Sequence, residues 1–527
     1  MRETRNPFMT SVAGLLLLAL PGIAPLRAQV PVRYDRYERL SLWNSGRNEA
    51  GIRLQHDAAS GRYANSYAEV HGGGEGGGFR QSWESSSSWN AGARTESVLH
   101  LPGISMRGSF SFEQCQGRNM SGSMFVHPGF YPIDIQEFTP GVKNLQTYTA
   151  NGGVAVPLGE RWILGGRLAF ESANYAKRKD LRHTNYRLDL TVLPSVLFRT
   201  ESWVFGLSGI YRKTSEWIKA EQIGTATATS YYVFLDKGLF YGSREVWDGS
   251  GVHLNEAGVN RLPVKEHVHG AALQLEKRLG GTTCYADGEY LHSAGSVGER
   301  DYLWYTFPGR AAAARAGCVW SRPKATHSLI ASIRWNAQRN QEYVTEKITE
   351  GGITTPHHYG SNRIFERKTA DWSLDYVLDS DKWELETSLQ SEWLRMRSTL
   401  VYPCSDTFDG MLVSGRIDLM RHIGPFDLKA GAGLALPPRK AASELKGVDS
   451  AVPPYRYTEG FQIWKDRNFG TVLSGNLAVR YNVQGGPLAG LYLEPYTGLT
   501  HGTGWEWYDG CNRIAALLTI GYSFGTH

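Results

Sequence analysis

Residues 513–524 read RIAALLTIGYSF. Taken every second residue, Ile514, Ala516, Leu518, Ile520, Tyr522 and Phe524 form one apolar face, while Arg513, Ala515, Thr519, Gly521 and Ser523 form a smaller, more polar one. A repeat of two is a β-strand signal, because successive side chains of a pleated chain point to opposite sides. A strand with one greasy and one mild face has few places to sit. If the greasy face meets lipid, the strand must belong to a closed barrel, since only helices and closed barrels satisfy every backbone group inside hydrocarbon.

The same pattern recurs along the chain. Trp162, Leu164, Leu168 and Phe170 oppose Arg161, Arg167 and Glu171. Tyr186, Leu188, Leu190, Val192, Val196 and Phe198 oppose Arg187, Asp189, Thr191 and Ser195. Trp203, Phe205, Leu207 and Tyr211 oppose Ser208 and Arg212. Trp372, Leu374, Tyr376 and Leu378 oppose Asp371, Ser373 and Asp375, and Trp383, Leu385, Leu389 and Trp393 oppose Glu384, Glu386, Gln390 and Glu392. Strands of a soluble sandwich average about five or six residues. Here the alternation lasts about ten or more, the length that a tilted spanning strand needs.

Short breaks separate these segments at 101–104, 157–160, 199–202, 279–282, 321–325, 379–381, 424–425 and 485–489. Longer polar, Gly-rich stretches lie between them at 116–146, 215–265, 293–310, 339–368, 396–410, 437–469 and 501–510. Short turns on the periplasmic side and long loops outside are the topology of an outer-membrane barrel. Trp162, Trp203 and Trp383 each follow a short turn, where an interfacial aromatic girdle stands. Two strands per turn plus a first and a last strand make about 18, within a range of roughly 14–20. The expectation is an all-β, closed antiparallel transmembrane β-barrel over 65–527.

Export is read at the other end. Arg2 and Arg5 precede the apolar run 12–20, Pro21 and Gly22 break it, and Leu26-Arg27-Ala28 precedes a cut before Gln29. That is a secretory signal peptide over 1–28, too short in its apolar core for a spanning helix of about 20 residues. Residues 29–64 read as a lead or plug segment. Gly 60, Tyr 27 and Trp 16 in 527 residues suit strands rather than a helical protein. Removing three cations and one anion with residues 1–28 lowers the net charge of +5 to +3, which argues for no nucleic-acid partner. Five scattered cysteines form neither a disulfide framework nor a metal cluster, leaving room for one or two incidental disulfides.

Functional candidates lie in the loops and on the inward faces. The stretch 116–146 carries three prolines and several aromatics where an extracellular loop belongs, and a loop this apolar seldom stays bare in water. It reads as a loop folded into the lumen, with Arg118, Phe125, His127, Phe130 and Tyr131 as constriction or ligand residues. Arg161, Arg167, Arg187, Arg416, Lys429 and Arg480 face the same lumen as Asp189, Asp375, Glu384, Glu386 and Asp418. Such mixed signs either screen solutes by charge or pair to solvate the wall. His71–Gly78, HGGGEGGG, lacks the Lys-Ser/Thr of a phosphate loop and reads as a flexible hairpin loop. His267 and His269 share a strand face, without a third metal ligand. No GxSxG or HExxH is present, so no catalytic residue, cofactor or metal is assigned.

Two segments, RNMSGSMFVHPGFYPIDIQEFTPG (118–141) and FESANYAKRKDLRHTNYRLDLTV (170–192), resemble an outer-membrane β-barrel family of Bacteroidota-type bacteria known as a domain of unknown function. The resemblance covers most of the mature chain and implies an outer-membrane barrel of unassigned activity. The expected function is a passive channel or solute transporter, with outer-membrane lipid and lipopolysaccharide around it and a small solute inside. A TonB-coupled receptor does not fit, because the chain is short for a 22-stranded barrel with a plug domain. The runner-up is a non-transporting surface or assembly component that binds a partner through its loops. A lipid-acting barrel enzyme comes third.

Overall fold

The computed structural model describes residue 43 and residues 47–55, 63–221, 232–246, 263–299, 302–400, 405–446, 455–503 and 511–526. The signal-peptide expectation for 1–28 and most of the 29–64 lead lie outside the described residues.

Seven strands come first: β1 (Tyr63–Gly77), β2 (Ser87–Leu101), β3 (Ile104–Ser123), β4 (Asp134–Leu158), β5 (Trp162–Lys177), β6 (Arg182–Arg199) and β7 (Trp203–Glu221). Two short strands follow, β8 (Tyr232–Asp236) and β9 (Tyr241–Val246). The wall resumes with β10 (Pro263–Leu279), β11 (Thr282–Glu299), β12 (Tyr302–Arg322), β13 (Ala325–Glu350) and β14 (Ile353–Ser380). It continues through β15 (Trp383–Ser398), β16 (Ser405–Ile423) and β17 (Phe426–Leu436). Two more short strands, β18 (Ala442–Lys446) and β19 (Tyr455–Arg456), lead to helix α1 (Thr458–Phe469). The last three strands are β20 (Thr471–Asn482), β21 (Leu491–Thr503) and β22 (Asn512–Thr526).

Eighteen of these form one antiparallel ring. Each pairs with its neighbour in sequence, β7 pairs with β10, β17 pairs with β20, and β1 closes on β22 from Ala64↔Thr526 to Gly77↔Arg513. All eight expected short connections join wall strands at the same end. The apolar face of each strand points outward: Leu168, Leu207, Leu273, Ile333, Leu374, Ile417, Leu477 and Ile514 are all exposed on the outer surface. Exposed leucines in a belt around a closed ladder are what hydrocarbon solvates, so the fold is a transmembrane barrel. Trp162 and Trp383, at the first residues of β5 and β15, stay exposed at the short-turn rim.

Several loop expectations were wrong in the same direction, among them 293–310, which is β11 up to Glu299 and β12 from Tyr302. The stretch 339–368 is not loop but wall, since β13 and β14 pair from Ala325↔Ser380 to Glu350↔Ile353, with register shifts after Asn340 and Val344, and turn only at 351–352. The run His71–Gly78 is also wall up to Gly77 in β1. Once a strand projects past the lipid, nothing requires one face to be apolar, and the alternation that betrays it disappears. The glycines of β1 serve the seam instead. A Cβ on Gly73 would run into the Ala516 carbonyl and the Leu517 side chain of β22. Of the five cysteines, Cys284 and Cys318 face each other across β11 and β12 and form a disulfide.

The seam can be tested directly. Gly73→Val is expected to cost about 1–3 kcal/mol by overpacking and to lower the temperature at which the folded barrel converts to the slow-migrating unfolded band on a gel. Gly152→Val, at a position with nothing within 4 Å of the added carbon, leaves that temperature unchanged.

Candidate functional site in the lumen

The loop 124–133 leaves β3 and turns into the barrel instead of standing above it. Its base is captured by the inner wall: Val126 N–H donates to Glu216 of β7 at 2.8 Å, and Asn185 of β6 donates to that same carboxylate at 3.0 Å and to the Met124 carbonyl. Its tip crosses to the opposite wall. There Arg367 of β14 donates to the carbonyls of Gly129 at 2.6 Å and Phe130 at 3.1 Å, while Gln338 orients its guanidinium at 2.6 Å. A loop pinned on both walls divides the mouth.

The sequence-derived loop residues separate here. Phe125 and Tyr131 are buried, with ring centroids 5.2 Å apart. Phe130 lies beneath two guanidinium groups, Arg187 at 5.2 Å and Arg212 at 5.4 Å. His127 is exposed and pairs with Glu171 at 3.1 Å. Arg118 does not belong with them: it stands exposed on β3, where only its carbonyl is engaged by Ser86. The constricting element is thus shorter than 116–146, because β3 and β4 extend past the lipid and absorb both ends of that stretch.

Beside the loop, the wall itself bends inward. The first residues of β4 pair with β8 (Asp134↔Asp236 to Glu137↔Val233), β8 pairs with β9, and β9 pairs with β19. This shelf of strands carries α1, whose Phe461, Trp464 and Phe469 pack on Phe408 of β16 at 5.2–5.7 Å between centroids. Phe240 at the hairpin tip completes the cluster, 5.9 Å from Phe461. An apolar core therefore lies across the outer mouth, built wholly from loop insertions and the inner faces of strand extensions. Sequence reasoning missed the shelf, α1 and Arg367, since each lies in a polar stretch without strong periodicity.

Below the core lies a cavity of about 780 Å³. Arg212, Arg334 and Arg367 face Glu266, Glu289, Asp371 and Glu392 around it, with Phe130 and Tyr131 at its roof. Asp189 ties Arg212 at 2.9 Å, Arg187 at 3.0 Å and the Thr214 hydroxyl at 3.2 Å, so these charges hold each other in place. Farther toward the short turns, Arg167 donates to Asn151 at 2.7 Å.

A second group of inward charges covers the wall from β14 to β21. Arg416 pairs with Asp418 at 2.5 Å, Asp375 accepts from Ser373 and Ser388, and Arg480 pairs with Glu494. Glu384 accepts from His422, whose other ring nitrogen meets Asp427. Glu386 attracts Arg416, and Lys429 attracts Asp418, through space. Arg161 is the exception: it is exposed in the turn 159–161 and lines no part of the lumen.

At the short-turn end, residues 47–55 lie inside the barrel. Glu49 pairs with Arg107 at 2.9 Å, the amides of Glu49 and Ala50 both donate to Ser195 Oγ at 3.1 Å, and Arg53 caps the Pro102 carbonyl at 2.7 Å. Trp43, Ala50 and Ile52 pack on Ala155, Ile163, Leu197, Val204 and Tyr285. A Cβ on Gly153, Gly165 or Gly206 would collide with Glu49, Ala50 or Asn48. Among the described residues, this segment leans on the wall from β2 to β13, and the Arg416 side chain keeps 50% of its exposure. Among the described residues, no three His, Cys, Asp or Glu side chains gather as metal ligands. His267 points outward, 3.1 Å from the Tyr211 hydroxyl.

Residues 58–524 match the family of unknown function (DUF6850). No curated protein matches the chain. Among solved structures, the chain is similar to the outer membrane transporter YddB from Escherichia coli, with 7% identity, a TM-score of 0.40 and coverage of 87% of this chain and 80% of that one. It is also similar to the outer membrane protein opdK from Pseudomonas aeruginosa (9%, TM-score 0.35, 88% and 99%) and to the copper transporter OprC (8%, TM-score 0.39, 88% and 81%).

The shelf contains a titrating group. Burial pushes the Asp236 carboxyl up to about 8, and Asp134 across the ladder pushes the same way, against the amides of Gly238 and Phe240 and the Arg456 guanidinium. An acid raised in this way is held protonated by the fold. Its stabilisation is complete below the unfolded value near 4 and is lost as pH rises through about 8. Burial likewise pushes the Asp134 carboxyl up to about 7, so proteolysis of the 232–246 hairpin is expected to accelerate about tenfold between pH 6 and 8, Asp236→Asn to reduce that rise, and Asp236→Asn with Asp134→Asn to abolish it. A flat wild-type profile would refute the assignment.

Proposed function

The chain belongs to this family of unknown function, and we propose that it is an outer-membrane barrel that passes a small hydrophilic solute by diffusion through a constricted lumen. The observation that carries this reading is the charged cavity under the pinned loop. An inert anchor gains nothing from charges inside its barrel, because each must be paired or wetted to offset desolvation. A volume of about 780 Å³ lies within the range of small-molecule sites, roughly 300–1,000 Å³. Both signs line it, so solutes with separated charges, or with hydroxyl groups, suit it better than apolar ones. Among the described residues, the inner wall around Arg416 keeps an exposed luminal charge, which suits a solute passing along it.

One observation favours a second reading. The apolar core across the outer mouth fixes the loops, as a surface component that presents them to a partner protein would require. The two readings differ in conductance. Purified protein in a planar bilayer is expected to show stepwise ion current, rising about twofold when Arg367→Ala frees the loop tip. Deleting 124–133 is expected to raise it further. A barrel that inserts yet stays silent in all three forms would sink the channel reading.

A further inference from the structure

The outer surface of the barrel is not uniform around its circumference. Residue count from the short turns measures height: about 3.3 Å of rise per residue, on strands tilted roughly 35–45°, puts the tenth to fourteenth residue roughly 25–35 Å above the turns. An apolar band about 25 Å tall ends there. Tyr290, Trp335 and Trp393 point outward near that edge, eight, ten and ten residues beyond Thr282, Ala325 and Trp383. At or just above their height stand Lys213, Arg310, Arg339, Lys368, Arg395 and Arg397, each ten to fourteen residues from the short-turn end of its strand. Their outward direction follows from alternation, since Phe307, Gln338, Phe365 and Met396 on the same strands are buried in the lumen.

Three facts make this a surface rather than a scatter of cations. Lys213, Arg310, Arg395 and Arg397 are exposed and have no carboxylate partner among the described residues. Lys368 and Arg395 stand directly opposite each other across β14 and β15, and the acids facing this group, Asp409 opposite Arg395 and Glu366 opposite Arg397, are shared with further cations. The nearby acids are already engaged: Glu366 by Arg363 at 2.6 Å and Lys368 at 3.4 Å, and Asp409 by Arg439. On the other half of the barrel the same height carries amides. Gln116 bonds Asn144 at 2.8 Å, and Gln146 bonds Gln114 at 2.7 Å. Depth alone therefore does not account for the cations.

We propose that the outward face of β7 and β10–β15, where the apolar band ends, is a binding surface for phosphorylated lipid headgroups of the outer leaflet. The inference rests on the outer-membrane reading above. Aromatic rings at the band edge hold the acyl–headgroup boundary, and the guanidinium groups above them donate to phosphate oxygens. A lipid bearing two phosphates spans neighbouring strands about 4.8 Å apart and engages two cations at once. Free phosphate shares the chemistry but lacks the chains that hold it beside the rings.

Native mass spectrometry of the full chain tests this, with phosphorylated lipid A, its dephosphorylated form and inorganic phosphate as probes. The phosphorylated lipid is expected to be retained at least about tenfold better than the dephosphorylated one. Combining Lys213→Gln, Arg310→Gln, Arg395→Gln and Arg397→Gln should abolish that preference, and Gln114→Ala with Gln146→Ala should keep it. Heat-modifiable gel migration verifies that each variant is folded, and Arg395→Lys alone should retain binding. Equal retention of both lipids, undiminished binding by the folded quadruple variant, or full competition by equimolar inorganic phosphate would overturn the proposal. Insertion into vesicles separates the two readings. A protein that inserts without headgroup preference overturns this proposal alone, and one that does not insert overturns the membrane reading with it.

Discussion

The pairing of β1 with β22 is the contact on which everything else depends. Inside hydrocarbon an unpaired strand edge has no water to turn to, so seventeen well-paired neighbours would be worth little if the first and last strands did not meet. That seam runs from Ala64↔Thr526 to Gly77↔Arg513 and needs glycines at its close approaches. Closure also creates an inside. Once the leucines face lipid, period two sends every polar neighbour into a shared lumen, whatever that lumen is for.

What fills the lumen is where this chain departs from an empty pipe. At one end a short segment is seated by glycines and by Ser195, and at the other a loop, a shelf and a helix build an apolar core. The space left between them is bounded by arginines and carboxylates that mostly hold one another. A passage so furnished is narrow and wet on one side and greasy at the top. On the channel reading, selectivity comes from the few groups that remain exposed rather than from the overall charge.

The membrane part of the fold was legible in the sequence, and the site was not. Leu164, Leu168 and Phe170 announce β5 because lipid demands them, and each short turn breaks that pattern. Phe125 and Tyr131 were visible as a loop too apolar for water. Arg367 was not, because one arginine among many in a polar stretch carries no mark of the carbonyls it will meet 237 and 238 residues away. The shelf escaped for the same reason: Val233, Phe234 and Leu235 make too short a run to show a period. Arg161 misled because the alternation was read one residue into the turn.

The shelf has a mechanical meaning beyond its packing. β8 is hydrogen-bonded to the first residues of β4, so the occluding sheet is continuous with the wall rather than hinged to it. A hinged lid opens by rotating about a few flexible residues and closes again intact. Among the described residues, a shelf knitted to its frame shows no such axis, and it clears the mouth by unzipping one backbone pair after another, beginning at the strand β19, which holds just two pairs. Widening of this mouth would then be graded in steps of one residue, not switched between two states.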